Sequence, residues 1–288
     1  MRRMFWIMSA IAACCFAMDV ARAAELQAPQ NAVAGNAVSI ATSGSGDATL
    51  YLIGPGGVVK RKVKLGEPVE LKAEEVRAAG RYTVLLSSGD KTDFFVAPTK
   101  PAQIAFLARP SRVPVAKPGV ITGVAFVFDD FKNLVLEPTP VKFDLSVQGT
   151  NSSQTANTKY GIAWTKMNSA SKEGAAQFVA SVGDVKVNRV VQQTAGEPCN
   201  IHMKVAGKNE RSIVVETDPI RDCSGNAVPD GTIVTFSLLD SKGGRTTVDS
   251  RIKKGIARAE LPAGDSGMVS VAAGVVSGNE LRVGGGGQ

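Results

Sequence analysis

Three residues have the chemistry of a metal site: Cys199, His202 and Cys223. The run Cys199-Asn200-Ile201-His202 sets a thiol three residues ahead of the only histidine in the chain. Zinc favours thiolate and imidazole, but it takes three or four such ligands. Asp222 offers a further donor, although nothing in the spacing requires it. The competing chemistry is a disulfide between Cys199 and Cys223. It would close a loop of about 25 residues and stabilise the fold by roughly 3 kcal/mol on the chain-entropy argument. The compartment decides between the two, and an oxidising one favours the disulfide and no metal.

Other candidate chemistry is sparse. A serine-type triad needs a histidine, and His202 stands without a Gly-x-Ser-x-Gly elbow. The glycine-rich "IGPGGVV" lacks the Lys-Ser/Thr of a phosphate-binding loop and leads into a strand, so it reads as a hairpin turn. Asp129, Asp130 and Asp222 could lend oxygens to calcium between modules, but capping of turns is their ordinary use. No catalytic residue and no cofactor is expected. Trp164, in "KYGIAWTKM", shares a strand face with Tyr160 and Ile162. A sugar-stacking platform has that form, yet packing in a core is the commoner use of a large aromatic.

The start of the chain places these residues in a compartment. Arg2 and Arg3 precede an uncharged apolar run from Met4 to Met18, and Ala21-Arg22-Ala23 closes it. That is the layout of a secretory signal peptide over residues 1–23, too short for a comfortable membrane span. A rival reading takes Ile11-Ala12-Ala13-Cys14 as a lipobox, with Cys14 lipidated. No later run is long enough for a transmembrane helix. The formal charge of +7 for the whole chain is a modest surplus, further reduced by cleavage. It suits contact with envelope polymers without requiring it. No cluster of basic and aromatic residues points to nucleic acid.

The elements that must position these residues are strands. Short runs such as "GRYTVLL", "VITGVAFVFD", "PVKFDLSV" and "TIVTFSLLD" alternate apolar and polar residues between Gly, Pro, Asp and Asn. The class is all-β, built of tandem sandwiches. One helical patch is expected, over Leu71 to Gly80. Connectors at "APTKPAQ" and "QTAGEPC" divide the chain into modules at 24–98, 101–194 and 197–283, with a glycine-rich tail at 284–288. In the first module, "AAGRYTVLL" resembles the approach to strand F of immunoglobulin-like domains. That resemblance gives Tyr82 a structural role, its hydroxyl bonded back to the preceding corner.

The second and third modules resemble each other. A shift of 93 positions superposes Asp129 on Asp222, Asn133 on Asn226, Val135 on Val228, Val141 on Val234 and Phe143 on Phe236. A shift of 81 sets "KEGAAQF" at Lys172 on "KKGIARA" at Lys253, which implies extra length in the second module. That length falls on "VQGTNSSQTANTKYG", read as a polar loop.

The third module's "DCSGNAVPDGTIVTF" resembles the bacterial immunoglobulin-like domains of invasin and intimin type, group 1. Asp222, Gly225, Asn226, Val228, Pro229, Gly231, Val234 and Phe236 match the usual run in place. Gly225 and Asn226 would take left-handed backbone, Pro229 and Gly231 would set the turn, and Phe236 would enter the core. The resemblance implies immunoglobulin-like sandwiches and an extracellular adhesive or spacer role. The expected function is therefore a non-enzymatic envelope or surface protein acting in adhesion, scaffolding or assembly. Its partner would be a protein or polysaccharide of the envelope or surface. The alternative is a carbohydrate-binding protein using Trp164, Tyr160 and adjacent loops.

Overall fold

The computed structural model describes residues 25–264 and 266–284. The segment read as a signal peptide, Cys14 and the last four residues of the tail lie outside them. Contacts divide the chain into two compact units between Thr99 and Lys100. Among the described residues there is no α-helix, and every core is enclosed by sheets.

The first unit is an immunoglobulin-like sandwich. Its strands are β1 (Leu26–Gln27), β2 (Asn31–Val33), β3 (Val38–Thr42), β4 (Asp47–Gly54), β5 (Gly57–Lys64), β6 (Val69–Leu71), β7 (Gly80–Leu86) and β8 (Lys91–Ala97). One sheet runs β1-β3-β6 and the other β2-β8-β7-β4-β5, with β2 parallel to β8. The "IGPGGVV" segment is the hairpin between β4 and β5. Along β7 the alternation drives Tyr82, Val84 and Leu86 inward. The Tyr82 hydroxyl donates to the Ala78 carbonyl at 3.0 Å, closing the corner before its strand. The expected helix over Leu71 to Gly80 shrinks to one 3₁₀ turn, Ala73–Val76. Its flanks are claimed by sheet pairing, Leu71 with Val38 and Gly80 with Val96, which takes both ends of the expected helix.

The second unit holds two sandwiches. The first has β9 (Gln103–Arg109), β10 (Arg112–Pro114), β11 (Ile121–Phe128), β12 (Pro140–Val147), β13 (Thr150–Asn157), β14 (Ile162–Met167), β15 (Gly174–Val182) and β16 (Val185–Thr194). A three-stranded sheet, β14-β11-β9, faces a five-stranded one, β10-β16-β15-β12-β13. Phe106, Phe143 and Phe178 fill the space between them, with ring centroids 5.0 to 6.2 Å apart. The supposed polar loop is a strand. Residues 150–157 form β13, paired along its length with β12. It lies at the sheet edge with its side chains exposed, which is why its residues are Thr, Asn, Ser and Gln rather than an apolar alternation.

The last sandwich comprises β17 (Pro198–Cys199), β18 (Met203–Lys208), β19 (Ser212–Thr217), β20 (Arg221–Asp222), β21 (Ile233–Asp240), β22 (Arg245–Arg251), β23 (Arg258–Pro262), β24 (Ser266–Ala273) and β25 (Val276–Gly284). Its sheets run β18-β19-β23 and β22-β21-β24-β25, with β17 and β20 pairing separately. Phe236, Val234, Met203 and Ile252 are buried at its centre.

This architecture corrects the second part of the repeat. Lys172 leads into β15, whereas Lys253 precedes β23, and the two strands lie in different sheets of their sandwiches. The true counterpart of Lys253 is Lys159. Both open a tight turn with a left-handed residue and then glycine, Tyr160-Gly161 and Lys254-Gly255. Both close on an isoleucine, Ile162 and Ile256. The spacing from the first repeated block then differs by one residue, and the second module has no insertion.

Candidate functional site

Two places in the second unit concentrate polar or aromatic chemistry: the turn at Asp222 and the outward face of the β9–β11–β14 sheet.

At the turn, Asp222 is buried. Its Oδ1 accepts the backbone N–H groups of Ser224 and Asn226, both at 2.9 Å. Its Oδ2 accepts the Gly196 N–H at 2.8 Å and the Asn226 amide at 3.0 Å. Burial acts to raise the Asp222 carboxyl, but these donors outweigh it and hold the group below its ordinary value. The carboxylate is thus an organiser of backbone, with its oxygens already engaged. Among the described residues no cluster of potential ligands could hold a metal ion.

Asn226 has an additional role that sequence reasoning missed. It does not take left-handed backbone; Gly225 does, at φ +83, as does Gly231, at φ +94. Instead its side-chain amide donates to the Ser171 carbonyl at 2.7 Å and its oxygen accepts the Glu173 N–H at 3.3 Å. Those two residues lie in the loop between β14 and β15 of the preceding sandwich, so Asn226 fastens one sandwich to the next. The only available signal was the presence of the Asn in both repeats. Pro229 accepts from the Thr232 hydroxyl at 2.8 Å, closing the entry to β21, and Phe236 is fully buried.

Cys199 and Cys223 form a disulfide, with Cα atoms 5.1 Å apart. It ties β17 to the residue beside Asp222. The bond consumes both thiols of the alternative metal site. His202 is exposed and lies 3.1 Å from Asp218, on the solvent side of the sandwich.

The same turn recurs one sandwich earlier. Asp129 accepts the N–H groups of Phe131 at 2.9 Å and Asn133 at 2.8 Å, and the Asn133 amide at 2.9 Å. The left-handed position of Gly225 is taken there by Lys132, at φ +66.

The second place is the outward sheet face, and here the ordinary reading of Trp164 fails. Tryptophan 164 is 62 % exposed. Along β14 the inward residues are Ala163, Thr165 and Met167, while Ile162, Trp164 and Lys166 point out. The reason is volume. The interior opposite β14 and β11 is already filled by the three phenylalanines. A Cβ added at Gly123 of β11 would stand 2.7 Å from Phe178, so β11 and β14 turn Gly123, Ala125 and Ala163 inward there while Trp164 points out.

Strand register arranges the outward residues in rows. Leu107, Val124 and Trp164 stand side by side, followed by Ala105, Phe126 and Ile162. On the other side of the tryptophan the next row is Arg109, Thr122 and Lys166. Beyond Ile162, Tyr160 is exposed on its tight turn with the Lys159 ammonium 5.9 Å from the ring centroid. Tyr160 and Trp164, paired in the sequence reading, are therefore both accessible and flank Ile162.

No family model matches this chain, and no curated protein matches it either. Solved structures do. FdeC, an adhesin of Escherichia coli, is 15 % identical and superposes with a TM-score of 0.61 over 92 % of this chain and 96 % of its own. InvD of Yersinia pseudotuberculosis is 12 % identical, with a TM-score of 0.52 over 90 % of this chain and 96 % of its own. Invasin, a bacterial integrin-binding protein, is 12 % identical with a TM-score of 0.52, and the match spans 59 % of its chain. The fold is the tandem immunoglobulin-like sandwich that these three bacterial proteins share.

Proposed function

We propose that this chain is an exported, non-enzymatic protein of the bacterial envelope or surface that presents its sandwiches for adhesion or assembly. The correspondence with FdeC over nearly the full length of both chains carries this reading. Supporting it are the amino-terminal signal pattern, the disulfide suited to an oxidising compartment, and an Asp222 whose oxygens are spent on backbone. Among the described residues no helix is long and apolar enough to cross a membrane. After export the chain begins at Ala24, as a periplasmic or secreted protein; lipidation at Cys14 would tether it instead.

The test combines processing with attachment. Intact mass of protein exported by a native-like host should start at Ala24 with both remaining thiols blocked until reduction. Deleting the gene for this chain should reduce attachment of cells to their surface or weaken envelope assembly. A mature chain retained in the cytoplasm with free thiols would defeat the reading.

A second reading, carbohydrate binding, is favoured by the exposure of Trp164 and Tyr160 together. Polysaccharide binding abolished by Trp164→Ala supports it; binding indifferent to that change counts against it.

A further inference from the structure

We propose that the outward face of the β9–β11–β14 sheet binds an acidic polysaccharide, with Trp164 as its stacking surface and Arg109 and Lys166 as its anion-holding end. This rests on the carbohydrate-binding reading and narrows it to one chemical class.

The face is flat and apolar at its centre. Strands lie about 4.8 Å apart and alternate residues about 6.8 Å apart, so the rows from Lys166 to Ile162 make a platform of about 10 Å by 14 Å. Leu107 is 52 % exposed and Trp164 62 %, an unusual concentration for a solvated sheet. The third sandwich carries a different set of residues at the same position. Arg258 stands at the counterpart of Trp164, and its row continues through Glu216 to Lys204. That row is a ladder of alternating charge, closed by an ion pair between Lys204 and Glu216 at 3.7 Å.

Charge selects the class of ligand. Strands β9, β11 and β14 contain no Asp or Glu, while Arg109 and Lys166 flank Thr122 in the row next to the indole. The segment 101–194 holds ten Lys and Arg against six Asp and Glu, and one of those acids, Asp129, is buried. The segments 24–98 and 197–283 are balanced, at eight against eight and eleven against eleven. The surplus charge of the described chain is thus concentrated in the sandwich that bears the tryptophan. A sugar ring laid across the indole offers its C–H face to the ring, and a carboxylate or sulfate on the neighbouring unit meets the guanidinium fork of Arg109. A flat platform in the middle of a sheet suits a chain lying across it, whereas insertion into a lipid surface needs a protruding tip.

Trp164 is the sole tryptophan beyond Trp6, so its fluorescence reports directly from the proposed site in the mature protein. The experiment titrates that protein with dextran sulfate, alginate and unmodified dextran. Dextran sulfate and alginate should shift the emission to the blue, and unmodified dextran should not. Raising the ionic strength from low to physiological should weaken binding by about tenfold. The double charge reversal Arg109→Glu with Lys166→Glu should weaken it at least as much, with the emission of the free protein unchanged. Trp164→Ala, followed by calorimetry, should abolish it.

Equal response to dextran and dextran sulfate would leave carbohydrate binding standing and overturn the acidic class. No response to any polysaccharide would overturn both. Binding without a change in Trp164 emission, or surviving Trp164→Ala, would move the site elsewhere and overturn this assignment. A blue shift that grows with protein concentration alone would mean that a second copy covers the face, which also overturns it.

Discussion

The second and third sandwiches share a turn and differ in a face. Asp129 with Asn133 and Asp222 with Asn226 organise the same chain reversal through the same set of hydrogen bonds. In the second sandwich the outward row reads Leu107, Val124, Trp164; in the third, Lys204, Glu216, Arg258. A buried carboxylate satisfied by backbone donors tolerates little change, because each lost bond leaves a buried N–H unpaired. An outward sheet position tolerates almost any residue. The turn therefore reports the fold that the two sandwiches have in common, and the face reports what each of them meets.

Removing the shared turn is the most damaging way to break this comparison. Asp222→Ala strips four donors of their acceptor and should destabilise the second unit by about 4 kcal/mol, read from the midpoint of chemical denaturation. Acid should do the same reversibly. Because the folded Asp222 carboxyl is held below its ordinary value of 3.8, its contribution is complete above that pH. It is lost as the pH falls below 3.8 towards the folded value. Denaturation midpoints that stay flat down to pH 2 would contradict the role given to Asp222.

The disulfide comes next, since only the third sandwich has one. Cys199→Ser with Cys223→Ser should cost about 3 kcal/mol, and reductant added to the native protein should reproduce that loss. A reductant effect in the absence of these cysteines would point to another cause.

A smaller change sharpens the comparison at the turn. Lys132 occupies a left-handed position that the third sandwich gives to Gly225. Lys132→Gly should raise the stability of the second unit by about 0.5 to 1 kcal/mol, the relief of side-chain strain exceeding the added freedom of the unfolded chain. A lower denaturation midpoint would show that the Lys132 side chain contributes more than its strained backbone costs.

The smallest expected effect on stability is at the face itself. Trp164→Arg makes the second sandwich carry the third's residue, and should change unfolding free energy by less than about 0.5 kcal/mol. A loss of several kcal/mol would mean that Trp164 packs into the fold after all.

Much of the architecture was legible because it depends on local order. The alternation in "GRYTVLL" placed Tyr82, Val84 and Leu86 on one side of a strand, and they are buried together. The repeat from Asp129 to Phe143 marked the turn, since an aspartate that caps backbone amides must stand at a fixed distance from them. The compartment argument paired Cys199 with Cys223. Where the reading failed, competition among elements decided the outcome. The helix expected after Leu71 lost its ends to strand pairing, and the polar run before Trp164 became a strand because β12 offered it an edge. The role of Asn226 in joining two sandwiches was illegible, because its partners Ser171 and Glu173 lie more than fifty residues away.

Trp164 marks the division most clearly. A period of two placed Ile162 and Trp164 on one side of their strand and Ala163, Thr165 and Met167 on the other. Periodicity separates two faces but does not say which of them turns inward. That depended on the volume left between the sheets, and Phe106, Phe143 and Phe178, drawn from β9, β12 and β15, had already filled it.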